Sequence, residues 1–240
     1  MNNDSPMETS PGPEAQAAPP PLPNLAVRVV QVFVSPAALF DRLKENPAWL
    51  GALLLIIGLG LGAQLIIPSD LVREAILARL PENVPPDAVE GQIRFANAFR
   101  FIGTVLISPI VFAILAGVLL LLFNVFGGGE ASFKQLFSAA IHSNFVVTIG
   151  GLFTLPLMLA ARDLELSLSL RLLAPFAESG TYLYRFLGGL NIFGMWATVV
   201  LGIAVSRIYP RRSAGGAGAL LLGLYVLLKA IFAIFGGRGG

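Results

Sequence analysis

Cysteine is absent and histidine occurs once, at position 142. The first absence excludes disulfides, thiolate metal sites and a cysteine nucleophile. The second excludes any site built from two or more histidines of one chain. Charge is scarce as well. Asp, Glu, Lys and Arg make up 12% of the 240 residues, where a soluble domain carries about 25%. The formal net charge is only +2, which leaves no basic footprint for nucleic acid. HExxH, GxSxG and GK[S/T] words are missing, and no Asp or Glu falls inside a long apolar run. Hydrolytic and phosphate-loop chemistry therefore have no foothold.

What the chain does have is apolar surface. Hydrophobic residues make up 55% and the mean hydropathy is +0.78. That composition calls for a membrane class. Residues 1–24 stand apart: six of the last fourteen are proline and no Lys or Arg precedes Arg28. With neither a basic n-region nor an apolar h-region, this stretch reads as a disordered Pro/Ala-rich tail rather than a signal peptide. Residues 25–48 read as two short amphipathic helices lying in the membrane interface. Ser35 supplies a hydroxyl cap there, and Pro36 sits at the first helical position.

Five apolar runs follow. The first, Trp49–Ile67, holds 19 residues, or roughly 28 Å of helix, close to the ~30 Å hydrocarbon layer. Gly58 and Gly62 share one of its faces at GxxxG spacing, which admits a close helix neighbour inside the bundle. The second, Phe99–Phe126, is longer than one bilayer thickness, should kink at Pro109 and stops at Gly127-Gly128-Gly129. A half-polar segment, residues 130–141, leads into the third run, His142–Ala161, which Pro156 should break. The fourth is Asn191–Tyr209 and the fifth Ala219–Phe235, with a short tail at 236–240. The intervening 68–98 and 162–189 are amphipathic or irregular connections. LELSLSL in the latter alternates like a strand but has nothing obvious to pair with. The expectation is an all-α polytopic helical bundle with five transmembrane helices plus interfacial amphipathic helices. Its membrane domain covers 49–235.

Sidedness is nearly balanced. Seven Lys/Arg fall on the N-terminal side of the bilayer and eight on the other. The acid-free basic turn Arg207–Arg212 favours a cytoplasmic N-terminus in the cell membrane.

The order of several short words resembles the bacterial branch of the Yip1 family. Ser35-Pro36, Phe40 and Pro47-Ala48-Trp49 precede the first span. The Pro109 span ends in the glycine triplet and is followed by Ser132-Phe133-Lys134-Gln135-Leu136-Phe137. Leu190-Asn191-Ile192-Phe193-Gly194-Met195-Trp196 opens the fourth span. The likeness covers residues 33–235. It implies a five-span protein with a cytoplasmic N-terminus and no enzymatic activity, working through protein or lipid partners in membrane organisation or trafficking. Eukaryotic members work with Rab-type GTPases and carry a DLYGP-like motif near the first span. That motif is missing here, so the GTPase link does not carry over.

Six positions stand out as candidate intramembrane polar or packing sites: His142, Asn144, Asn124, Lys229, Gly58 and Gly62. His142 reads as an interfacial cap at a helix start, with a proton- or ligand-sensing site as the sharper alternative. Lys229 reads as a side chain snorkelling to the interface, with a carbonyl or amide partner such as Gln64 as the rival. A transporter or channel component would gather Asn124, Ser143, Asn144 and Thr148 around one polar cavity between the proline-broken second and third spans. No catalytic, cofactor-binding or metal-ligating set is identified. The implied partners are the lipid bilayer, other membrane proteins or a second copy; no nucleic acid and no identifiable small-molecule substrate is among them.

Overall fold

The computed structural model describes residues 21–78, 80 and 84–235. The expected tails lie outside these residues, apart from 21–24. Ten α-helices make up the described chain. They are α1 (Leu25–Val34), α2 (Pro36–Glu45), α3 (Leu50–Ile66), α4 (Ser69–Leu77), α5 (Pro86–Leu120), α6 (Phe133–Ser143), α7 (Phe145–Ala161), α8 (Tyr182–Gly189), α9 (Ile192–Ile208) and α10 (Ala214–Phe235). Among the described residues the LELSLSL stretch makes one isolated bridge, Ser169 to Asn191, and a 3-10 turn at Leu170–Leu173. The protein is an all-α membrane bundle.

All five expected apolar runs are helical, and their lengths differ. Pro86–Val125, Phe133–Ala161 and Ala214–Phe235 are each long and apolar enough to cross a membrane. The first run qualifies only together with α4, across an 84° bend. At 17 residues, α9 rises roughly 25 Å, short of the ~30 Å hydrocarbon layer.

Two local expectations need correcting. Pro156 does not break the third span, because α7 runs through it; the interruption falls earlier, at Asn144. Ser35 precedes α2 without a side-chain capping bond, leaving Pro36 to start the helix by its fixed φ. The helix that Pro85-Pro86-Asp87 starts does run on into the second span, as one element. That helix passes Pro109 and ends in one π turn, Leu121–Val125, where Phe126 N–H reaches the Leu121 carbonyl at 3.1 Å. Gly128 then takes φ +65°, a left-handed position where glycine costs least.

The core sits where α2, α6 and α9 meet. Leu39 and Phe40 of α2, Leu136 and Ile141 of α6, and Val200 and Val205 of α9 are all buried. Residues 136–143 of α6 are buried without interruption, so this helix is enclosed on every side. Ser132 and Gln135 start it with a reciprocal capping box, at 3.2 and 2.8 Å. Gln135 Nε2 also donates to the Lys44 carbonyl at 2.9 Å, tying α6 to the end of α2. Gly202 of α9 lies directly against the backbone of Gly218 in α10. A methyl group at Gly202 would strike the Gly218 backbone. By contrast, Ile102, Leu106, Ile110 and Ile114 form an exposed stripe along α5, the face a helix turns to lipid.

Candidate functional site

Polar side chains inside the bundle fall into three separate groups. The first is centred on His142 in the last turn of α6, which is fully buried. Its Nδ1 lies 2.8 Å from the Ser138 carbonyl and its Nε2 lies 3.2 Å from Arg28 Nη1. A guanidinium has no acceptor, so Nε2 must accept and Nδ1 must carry the proton it gives to Ser138. Both ring nitrogens are thereby occupied in the neutral form. Arg28 comes from α1 and also donates to the Ala48 carbonyl at 3.0 Å. The group therefore joins α1, the start of α3 and α6. Phe145 meets the imidazole edge-on, centroids 5.8 Å apart. No ring nitrogen of His142 is left without a neighbour.

The second group closes the glycine turn. Asn124 Nδ2 donates to the Ala131 carbonyl at 2.8 Å, and its Oδ1 accepts from Ala131 N–H at 3.1 Å. The same oxygen accepts from the Tyr209 hydroxyl at 2.6 Å. Tyr209 lies against Gly129 so closely that any side chain there would clash. Arg212 Nη2 donates to the Gly127 carbonyl at 3.1 Å. Between these groups and Lys44 opens a pocket of about 380 Å³, also lined by Glu130 and Arg211. A salt bridge from Arg207 to Asp41, 2.6 Å long, stands at the same end.

The third group lies along α3 and α5. Gln64 Nε2 donates to the Arg100 carbonyl at 3.3 Å and to Thr104 Oγ1 at 3.2 Å. Gln64 is therefore engaged with α5 rather than with Lys229. The Lys229 stem lies along Gly189, and its ammonium sits 5.4 Å above the Tyr225 ring.

Asn144 stands at the α6–α7 break, with Nδ2 3.4 Å from Thr148 Oγ1. Of the four residues a transport cavity would gather, Ser143, Asn144 and Thr148 adjoin at the α6–α7 break, with Ser143 buried, whereas Asn124 is bonded into the glycine turn. Gly58 and Gly62 have nothing within 4 Å of where a Cβ would stand. The close packing expected of them occurs instead at Gly202 and Gly218.

Outside the hydrocarbon, Arg162 bridges Asp70 at 2.8 Å and Glu74 at 2.7 Å. That hydrogen bond from Arg162 holds the Asp70 carboxyl below the usual carboxylate range. The amphipathic pattern of residues 25–48 left the partners of Arg28 undefined, and Arg100 carried no signal of its own. Arginine in a ten-residue helix whose only other polar residue is Gln31 was the available signal for Arg28, since lipid on one side leaves only the bundle interior for its donors.

A family model described as the Yip1 domain matches residues 30–237. Neither a curated protein nor a solved structure matches the chain.

Proposed function

The chain belongs to the Yip1 domain family, and from that premise we propose that it is a non-enzymatic multi-pass membrane protein acting through lipid and protein partners in membrane organisation or trafficking. The observation that carries the reading is how the interior polar groups are used. His142, Asn124 and Gln64 each tie helices or turns together through bonds to neighbouring side chains or carbonyls. A group bonded in this way braces a bundle and is not free to act on a substrate. The surfaces left for partners are the basic end around Lys44, Arg211 and Arg212 and the open face at Gly58 and Gly62. The N-terminus is assigned to the cytoplasm on the acid-free basic turn Arg207–Arg212.

The test is purification of the full-length protein from its native membrane in a mild detergent, with quantitation of co-purifying proteins and phospholipids. Stoichiometric recovery of a protein or a lipid class supports the reading. A preparation that carries neither sinks it. The transporter reading requires one water-accessible cavity holding Asn124, Asn144 and Thr148 together, and no observation favours it.

A further inference from the structure

Among the described residues, Arg100 alone has two buried guanidinium nitrogens without a hydrogen-bond partner. It lies in α5 at the level where α3 ends, since its carbonyl accepts from Gln64, two residues before the last of α3. Its Nε and Nη1 are buried, and neither has an acceptor among the described residues. One face of the guanidinium covers the Phe101 ring at 4.8 Å, which satisfies no N–H. A permanently charged group with buried, unanswered donors is costly and calls for an anionic oxygen acceptor.

The space beside it fits that need. A groove of about 450 Å³ runs from Phe99 and Arg100 past Gly103 and Ile107 to Val111 and Phe112. No carboxylate lines it. From Arg100 to Phe112 the helix rises roughly 18 Å, the reach of an extended acyl chain. The groove opens sideways beside the exposed stripe Ile102–Leu106–Ile110. One end is thus cationic and near the membrane surface, and the rest is mainly apolar, with Thr104, Ser108 and Asn144 as its neutral polar lining.

We propose that Arg100 and this groove form a binding site for an anionic phospholipid. The headgroup phosphate pairs with the Arg100 guanidinium, and one acyl chain lies over Gly103 along Ile107 and Val111. The charge-assisted bond answers a donor that the described residues leave unpaired. Gly103 keeps the groove open, because a larger side chain there would project among Phe99 and Ile107. This site deepens the lipid-partner reading above and rests on it.

The full-length protein is purified in a neutral detergent and titrated with phosphatidylglycerol or phosphatidylcholine, with bound lipid counted by native mass spectrometry. The expected result is preferential binding of phosphatidylglycerol, weakened at least about tenfold in Arg100→Gln, the loss of one charge-assisted bond or more. Gly103→Leu, which leaves the guanidinium in place, should weaken it as well. Arg162→Gln, which removes an exposed arginine already paired with Asp70 and Glu74, should bind like the parent chain. Inorganic phosphate should not compete at concentrations where the lipid saturates. Equal binding of the two lipids by the parent chain overturns the proposal, and so does an unchanged preference in Arg100→Gln. Loss of preference only in Arg162→Gln overturns it too, while leaving a lipid-binding function standing. Full competition by inorganic phosphate shows a free-anion site and overturns the lipid occupant.

Discussion

Two helices flank the glycine turn, and they use opposite solvents. The helix before it, α5 with its π turn, is the more apolar of the two and largely unburied. The span after it, α6 and α7, is less apolar, yet α6 is enclosed from Leu136 to Ser143. In water this order would be reversed, because burial is driven by apolar area. In a bilayer apolar side chains lose little by facing lipid, whereas Ser138, His142 and Ser143 do lose and go inside. Tight packing therefore follows the polar and small residues, and the long apolar stripe of α5 is left for lipid.

If that division holds, substitutions should hurt according to which side they strike. His142→Ala should cost the most, about 4 kcal/mol in thermal or denaturant unfolding in detergent, because it leaves a void and strips Arg28 of an acceptor. The double change Arg28→Leu with His142→Leu should recover much of that loss. A single change with no measurable cost would break the contrast at its centre. Next comes Gly202→Leu, at about 3 kcal/mol or outright failure to assemble, since α9 and α10 cannot part without losing their contact. Gly58→Leu, on an open face, should stay within about 0.5 kcal/mol of the parent. Equal damage from both glycine changes would mean that the Gly58 face is covered in the membrane.

Asn124→Ala should cost about 2 kcal/mol through three lost bonds, with Tyr209→Phe removing only one of them. Limited proteolysis at residues 127–131 reads the same effect as faster cleavage. The smallest effect belongs to the exposed pair of Arg162 with Asp70. Because the Asp70 value is depressed on folding, the pair contributes fully above the usual carboxylate range. That contribution is lost as the pH falls through the depressed value. A stability–pH curve should show this acid-side loss in the parent chain, weaker at high salt and missing in Arg162→Ala.

Much of the architecture was legible from hydropathy and punctuation. The fourth run starts where expected, and its first residue, Asn191, caps α9 through bonds to the N–H groups of Phe193 and Gly194. The glycine triplet ends the second span where expected. The candidate sites were harder to read, because spacing along one helix says nothing about which helix faces it. GxxxG at Gly58 and Gly62 looked like a crossing point, and the crossing lies at Gly202 and Gly218 in a pair of helices with no such signal in common. Pro156 looked like a break because proline lacks a donor, but one missing bond does not end a helix held by neighbours on both sides. Nothing in the local sequence marks Arg100, because the enclosure of its donors depends on neighbours that only folding supplies.

The sequence by itself determined that this chain lives in a bilayer, that it is helical throughout its apolar runs, and which family it resembles. Those properties follow from local hydropathy, turn residues and short words in order. Only the tertiary structure decided which apolar face meets lipid, that Arg28 reaches His142 across 114 positions, and that Arg100 stands beside an open groove. In lipid, every apolar face of a helix is an acceptable surface. The choice among them is made by a few polar and glycine contacts between helices distant in sequence, and those exist only once the helices are assembled.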